Sequence, residues 1–427
     1  MKKVILTSII ASVVLAGSSL PASAQSDLNL GTSASAVTQK NIKNESSSDN
    51  EENTVRGELL SYKKVSQLTT KQILKLNPAK DIRSLLSYDV SLYSITYKSI
   101  YNGEPVVLSG LVTIPKGKKK PSYLQYHHGT MLPIPMTGGE GSNDAPSLFH
   151  GQPAQLTADF GETRMMILTL ASKGYVVSAP DYAGYNVSKN LDHPYNVASE
   201  LAESSVDMLR ATKELTRKLQ IKTDNKVFLA GWSEGGGAAL ATHKLIEQKH
   251  VKEFNLIATS PLAGPYDSTS MILESANVEG DIGENAAIYN WTLYSLIKFG
   301  NIDRPHDEVW KYEVNSSLDA LMTPSNKVSE IIQESFLENV INGKDGEVLA
   351  AIKGNDLIQG WTPKAKIMFH SGKHDDIVPH YNTLNAYNTF KERGADVTLY
   401  EYEGNHYTPD LKYLTRTIKD FGVLSRK

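Results

Sequence analysis

The sequence contains no cysteine among its 427 residues. Disulfide bonds therefore cannot stabilise the fold, and thiolate catalysis and metal sites with thiolate ligands are excluded. A large excess of charge is also missing, because 44 basic and 47 acidic residues give a formal net charge of −3. This mild acidity gives no reason to expect a nucleic-acid partner. The chain is nevertheless long enough to bury a large core without cross-links.

Long apolar runs are scarce, and the clearest one lies at the N-terminus. A basic start at residues 2–3, an apolar run over residues 4–15 and the small-residue pattern "ASA" at residues 22–24 are typical of a secretory signal. We predict cleavage after Ala24, which would change the net charge from −3 to −5 by removing two lysines. The run is shorter than the roughly 20 residues that span a bilayer. We therefore expect a secreted or periplasmic protein without a stable membrane anchor, with a retained anchor as the alternative.

Composition and apolar periodicity divide the rest of the chain. Residues 25–54 almost lack large apolar side chains and are predicted to be a disordered spacer. Short apolar strands then alternate with amphipathic helices, which predicts an α/β fold with a mostly parallel sheet and helices on both faces. We assign residues 55–263 and 362–427 to this core. Residues 264–361 have helical segments without a clear strand and are interpreted as an inserted helical cap, the alternative being an excursion with no role at the site.

Turn residues mark several element boundaries. Asn102-Gly103 lies between two β-rich runs and predicts a two-residue hairpin. Gly174 follows the helical pattern "ETRMMILTLASK" and is the expected stop of that helix. A closing helix is predicted from about Pro409.

One serine stands out in "VFLAGWSEGGGAAL", residues 227–240. Gly231-Trp232-Ser233-Glu234-Gly235 fits the pattern G-x-S-x-G, with a predicted strand before it and a predicted helix after it. Small neighbours allow the tight turn that presents such a hydroxyl above a sheet. A glycine-rich phosphate cradle is disfavoured, because no lysine follows the glycines and no G-x-G-x-x-G is present. We interpret Ser233 as a nucleophile, with a structural turn as the alternative.

A serine hydroxyl needs a base to accept its proton and an acid to orient that base. "GKHDDIVP" places Asp375 in the loop after a predicted strand, and we select it as the acid, with adjacent Asp376 as the alternative. "EGNHYTP" places His406 in the loop after the last predicted strand, and we select it as the base.

The loop "YHHGTM" is expected to complete the site. The backbone N–H of Gly129 or Thr130, together with that of Glu234, would bind a developing oxyanion. His128 is expected to shape this loop rather than to transfer protons. Three other histidines near the acid are interpreted as surface or structural residues rather than as zinc ligands: His370, His374 and His380. No metal or organic cofactor is required for this chemistry.

Several motifs occur in the order found in one known superfamily. They are "SGLVTIP", "HHGT", "APDYAGY", "HPY", "GWSEGG", "SPLAGPYD", "HDDIVPH" and "GNH". With them the chain resembles the α/β-hydrolases and, within these, secretory lipases of the lipase A-like group and their bacterial relatives. The resemblance implies a serine ester hydrolase whose triad is Ser233, Asp375 and His406. The chain departs from the pattern at Glu234, where many relatives carry glutamine, and in lacking the cysteines that brace some secreted lipases.

We therefore expect a carboxylesterase or lipase that cleaves small-molecule esters or lipids through an acyl-enzyme. A serine peptidase or an aromatic-acid ester hydrolase could use the same residues, because specificity depends on the pocket and the cap. A catalytically silent binding protein with this fold is a further alternative.

Overall fold

A computed structural model describes residues 55–77, 79–132, 144–157, 160–408 and 410–426. The predicted signal and spacer, residues 1–54, lie outside the described residues, as does the predicted helix start at Pro409. None of the helices in the described ranges combines the length and apolar character needed to cross a bilayer.

Three antiparallel strands begin the described chain. They are β1 (Leu59–Leu68), β2 (Val90–Tyr101) and β3 (Glu104–Pro115), and Tyr101 pairs with Glu104 across the predicted hairpin. The turn residues Asn102 and Gly103 have φ values of 48° and 83°. A positive φ at both positions is the geometry of a type I′ turn, so this prediction is confirmed.

Six parallel strands complete the sheet. They are β4 (Tyr123–His127), β5 (Val176–Pro180), β6 (Lys226–Trp232), β7 (Asn255–Leu262), β8 (Lys366–Gly372) and β9 (Val397–Tyr402). The spatial order is β1-β2-β3-β5-β4-β6-β7-β8-β9, and β3 meets β5 in antiparallel orientation. The predicted mostly parallel sheet is confirmed, with an antiparallel part at β1–β3.

Helices cover both faces of this sheet. One face carries α4 (Ala198–Lys218), α5 (Glu234–Lys249) and α13 (His380–Glu392); the other carries α1 (Thr70–Leu76), α2 (Phe160–Glu162), α3 (Leu168–Lys173) and α14 (Asp410–Leu424). A π-helical segment, Thr163–Ile167, joins α2 to α3, which ends before Gly174 in the left-handed conformation, as predicted. Short 3₁₀ turns occur at Lys80–Leu85, Pro146–Leu148 and Asn186–Ser188.

The central strands are buried on both sides because their side chains alternate between two cores. In β6, Val227 and Leu229 pack into the core beneath α4 and α5, whereas Phe228 and Ala230 pack into the core beneath α3 and α14. This explains why the sequence of β6 is apolar at successive positions rather than at alternate ones.

Seven helices follow β7 before the chain returns to the sheet at β8. They are α6 (Ser268–Ala276), α7 (Asn285–Phe299), α8 (His306–Val309), α9 (Ser317–Leu321), α10 (Val328–Ile331), α11 (Glu334–Ile341) and α12 (Gly346–Gly354). Within residues 264–361, all of which are described, β pairing is limited to one bridge between Trp310 and Ile332. Trp291, Trp310 and Phe336 belong to a hydrophobic core of this segment.

Candidate active site

Ser233 lies on a strained turn between β6 and α5. Its φ of 57° and ψ of −127° are unfavourable for a residue with a side chain, and such strain is often kept at functional sites. The flanking glycines permit the turn: a Cβ on Gly231 would lie 2.2 Å from the Gly235 carbonyl oxygen, and one on Gly235 would lie 2.0 Å from that of His127. The turn places Ser233 at the N-terminus of α5, whose dipole favours negative charge.

A hydrogen-bond chain joins the three predicted triad residues. His406 Nε2 lies 2.9 Å from Ser233 Oγ, and His406 Nδ1 lies 2.7 Å from Asp375 Oδ2. Because a carboxylate oxygen accepts at Nδ1, this ring nitrogen carries the proton and Nε2 is left to accept from the serine hydroxyl. Ser233, Asp375 and His406 are 8 %, 7 % and 2 % exposed, so the hydrogen-bond chain is largely shielded from water.

The acid is fixed by its own loop. Asp375 Oδ1 accepts the backbone N–H groups of Ile377 and Val378, at 3.1 and 2.9 Å. These bonds hold the carboxylate with its second oxygen toward His406. The alternative acid, Asp376, is exposed, and its backbone carbonyl accepts from Asn285 Nδ2 of α7. Of the two adjacent carboxylates, the structure brings Asp375 to the histidine.

Parallel strand order explains how residues so distant in sequence meet. Ser233 follows β6, Asp375 follows β8 and His406 follows β9. The "HHGT" loop follows β4 in the same way. The carboxyl ends of parallel strands lie along one edge of the sheet, which is where ligands bind in open α/β folds.

The "HHGT" loop, which we expect to bind an oxyanion, has one N–H group that already makes a hydrogen bond. The Gly129 N–H donates to Glu162 Oε2 at 2.8 Å, so this N–H is already engaged by a carboxylate. Among the described residues, the backbone N–H groups of Thr130 and Glu234 make no hydrogen bond. In this loop the Thr130 N–H, unlike that of Gly129, thus has no hydrogen-bond partner among the described residues.

Glu162 is a site-loop residue that the sequence did not reveal. Its Oε1 accepts from the Tyr126 hydroxyl at 2.6 Å while its Oε2 holds Gly129. In sequence it resembles an ordinary acid in the first turn of a helix. Nothing local indicates that it reaches a loop 33 residues earlier.

Four other histidines near the site are either buried or bonded to groups outside the hydrogen-bond chain, or exposed to solvent. Burial lowers the pKa of His128 to about 4, and its Nδ1 faces the Gly129 carbonyl oxygen at 2.8 Å. Burial also lowers the pKa of His370 to about 3, where the ring lies between Ser260 and Tyr402. His374 is exposed, and His380 lies 3.0 Å from Glu401.

Two further acidic groups adjoin the site. Glu234 Oε1 lies 2.6 Å from His193 Nε2, and both side chains are fully buried. Asp410, at the start of α14, is close enough to His406 for electrostatic interaction, and burial raises its pKa to about 6. The motif "HPY" is visible in the sequence, but the partner of its histidine, Glu234, is not.

Strand order, the strained serine turn and the chain order serine, aspartate, histidine together define an α/β-hydrolase fold. Comparison with known proteins agrees with this class. Residues 150–280 match the family model described as secretory lipase. The secreted triacylglycerol lipase LIP3 of Malassezia restricta is 22 % identical over 335 residues, which cover 73 % of this chain and 66 % of that protein.

Solved structures share the fold over most of the chain. The rice cell wall degrading esterase LipA of Xanthomonas oryzae matches with a TM-score of 0.69 and 25 % identity, covering 87 % of this chain and 98 % of LipA. A Legionella pneumophila protein matches with a TM-score of 0.73 and 23 % identity, covering 86 % and 98 % of the two chains. The chain is thus similar to secretory lipases and has the α/β-hydrolase fold.

Proposed function

We propose that this protein is a serine ester hydrolase that forms an acyl-enzyme on Ser233. The observation that carries the proposal is the continuous hydrogen-bond chain from Asp375 through His406 to Ser233, with distances of 2.7 and 2.9 Å. Such a chain leaves His406 Nε2 able to accept the hydroxyl proton. Similarity to a secretory lipase family supports esters as the substrate class.

In the first step, Ser233 Oγ attacks the ester carbonyl carbon while its proton moves to His406 Nε2. The carbonyl oxygen becomes an oxyanion and accepts the N–H groups of Glu234 and Thr130. The bond to the alcohol oxygen then breaks, and His406 returns the proton to that oxygen. The products of this step are a free alcohol and an acyl ester on Ser233.

In the second step, water replaces the alcohol. His406 removes a proton from the water as its oxygen attacks the acyl carbonyl carbon, and the same N–H groups bind the second oxyanion. Collapse breaks the bond to Ser233 Oγ, which regains its proton from His406. Asp375 keeps the imidazole oriented and stabilises its protonated form throughout. The cycle thus consumes one ester and one water and releases one alcohol and one carboxylic acid.

We further propose that the helical segment 264–361 forms part of the acyl-binding region. Helix α7 already contacts the acid loop, since Tyr289 donates its hydroxyl to the Ile377 carbonyl oxygen at 3.2 Å. Residues 1–24 would direct export, which fits the similarity to LIP3, a secreted lipase. A carboxylesterase or lipase is therefore favoured over a peptidase or a silent binding protein.

A fluorophosphonate probe tests the proposal. The wild-type protein should be labelled and should hydrolyse p-nitrophenyl esters, and Ser233→Ala should abolish both. Ser61→Ala, in the edge strand β1, serves as the matched serine control and should retain both activities. Labelling that persists in Ser233→Ala, or turnover of peptidyl substrates without any ester hydrolysis, would refute the assignment.

A further inference from the structure

The loop His193-Pro194-Tyr195 contacts both residues whose backbone N–H groups are free for an oxyanion. The Tyr195 hydroxyl lies 2.8 Å from Thr130 Oγ1, and His193 Nε2 lies 2.6 Å from Glu234 Oε1. Thr130 and Glu234 come from the ends of different strands, β4 and β6. Two side chains of one loop therefore contact the two residues that carry the free N–H groups.

The ring of Tyr195 packs against a second aromatic side chain. It stacks on Trp291 of α7, with centroids 3.9 Å apart and planes inclined by 6°. Both side chains are buried, and burial raises the pKa of Tyr195, so the hydroxyl keeps its proton. Stacking and burial therefore restrain the hydroxyl to which Thr130 Oγ1 is bonded.

His193 must share a proton with Glu234. Its Nδ1 lies 2.8 Å from the Ala183 carbonyl oxygen, which can only accept, so Nδ1 carries a proton. The contact between Nε2 and Glu234 Oε1 then needs one more proton, on either the ring or the carboxyl group. In both forms the buried pair has no net charge. The pair therefore adds no net charge beside the N–H of Glu234.

The backbone of the loop His193-Pro194-Tyr195 packs closely against Gly184. Gly184 has a φ of 93°, and a Cβ there would lie 2.7 Å from the backbone nitrogen of His193. Close backbone contact of this kind leaves little room for the loop to shift. The backbone that carries the side chains of His193 and Tyr195 is thus closely packed.

We propose that His193 and Tyr195 are positioning residues that set the separation of the oxyanion donors at Glu234 and Thr130. This inference rests on the proposed function and deepens it. Neither side chain touches the reacting atoms; each acts through the residue that it holds. Because removal of an oxyanion donor can lower kcat by about 10²–10³-fold, misplacing one should lower kcat by about tenfold or more.

Tyr195→Phe tests half of the inference, since it removes the hydroxyl and retains the ring that stacks on Trp291. The chain offers a matched control in Tyr123→Phe. Tyr123, the first residue of β4, is buried, and its hydroxyl lies 2.7 Å from Thr216 Oγ1 of α4. Tyr195→Phe should lower kcat for a p-nitrophenyl ester at least tenfold with KM changed less than about twofold. The control should change neither, although both variants lose a buried hydroxyl bond.

Binding of a trifluoromethyl ketone separates positioning from general loss of structure. This inhibitor forms a tetrahedral adduct with an oxyanion, so its affinity for Tyr195→Phe should fall by the same factor as kcat/KM. Thr130→Val removes the other partner of the bond. The double variant Tyr195→Phe/Thr130→Val should be no slower than the slower single variant, because both changes break one interaction.

His193→Phe tests the other half. It leaves Glu234 without its proton partner, and kcat should fall at least tenfold. Adding Glu234→Gln removes the unpaired carboxyl group and should restore part of the lost kcat. Failure of this second change to restore any activity would contradict the role assigned to the pair.

The outcomes distinguish this inference from the proposed function. A wild-type protein that neither hydrolyses esters nor reacts with a fluorophosphonate would overturn both. An active wild-type protein whose Tyr195→Phe and Tyr123→Phe variants have equal kcat and equal ketone affinity would overturn the positioning role alone.

Discussion

At the scale of single residues, two adjacent carboxylates provide a sharp test of the site. Asp375 bonds to His406, whereas Asp376 is exposed. Asp375→Asn should lower kcat by about 10⁴-fold, because an amide in this place favours the wrong tautomer of the imidazole. Asp376→Asn should leave kcat within about twofold. Steady-state kinetics on one ester decide the matter, and equal losses in the two variants would contradict the assignment.

The glycines of the serine turn give a second residue-scale prediction. Gly235→Ala would place a methyl group 2.0 Å from the His127 carbonyl oxygen, which is backbone and cannot rotate away. The free energy of unfolding should fall by about 2 kcal/mol or more, in line with the cost of overpacking. Gly346→Ala is the control, since its Cβ would meet nothing within 4 Å. Urea unfolding measures both, and similar stabilities for the two variants would argue against a crowded turn.

Residue identity selected Ser233, Asp375 and His406, which hydrogen bonds join in the structure, but it did not reveal the side chains that contact the proposed oxyanion donors. The serine turn is a local pattern, and Asp375 and His406 follow it in a characteristic order. The backbone N–H of Gly129 bonds instead to the carboxylate of Glu162, 33 residues away. The side chain of Glu234 contacts His193, 41 residues away. No spacing rule links these pairs, because their contact arises from packing of separate loops.

At the scale of secondary-structure elements, the start of α14 carries an unfavourable buried charge. Among the described residues, Asp410 Oδ1 has no hydrogen-bond partner, and burial raises the pKa of this carboxyl group from 3.8 to about 6. The unfolded chain therefore loses its proton first as the pH rises, so this group lowers stability progressively between about pH 4 and 6 and fully above pH 6.

Asp410→Asn removes this penalty. The variant should be more stable than the wild type at pH 8, by up to about 3 kcal/mol, and should show little gain at pH 4. Urea unfolding at the two pH values measures the difference. A gain that is the same at both would indicate an effect unrelated to ionisation.

Elements with strong local signals were predicted, and an edge strand was not. The hairpin at Asn102-Gly103 and the helix stop at Gly174 have turn chemistry that requires a positive φ. Strand β1 gave no signal because most of its side chains are exposed or half-buried, so its sequence "LLSYKKVSQL" lacks an apolar alternation. Strand β1 forms because it pairs with β2, and the residues of β1 alone do not indicate this pairing.

At the scale of the whole molecule, buried neutral histidines should make the fold sensitive to acid. Burial lowers the pKa of His127 to about 3, of His128 to about 4 and of His370 to about 3. In the unfolded chain these groups bind protons near pH 6.5. Their contribution to stability is therefore complete above about pH 6.5 and is lost progressively as the pH falls below it.

The free energy of unfolding should decrease from pH 7 to pH 5.5, with a slope that approaches about 4 kcal/mol per pH unit for three such groups. Urea unfolding across this range measures the slope. The exposed His374 provides a control, because His374→Gln should leave the slope unchanged. A stability that does not vary over this range would contradict the burial of these rings.

The central claim is that Ser233 becomes covalently acylated, and trapping the intermediate tests it most directly. The protein is mixed with excess p-nitrophenyl ester, quenched with acid during the first turnover and digested, and the acylated peptide is sequenced by mass spectrometry. We predict one acyl group per chain, on Ser233, and none in Ser233→Ala. An acyl group on a different residue, or steady hydrolysis by Ser233→Ala, would contradict it.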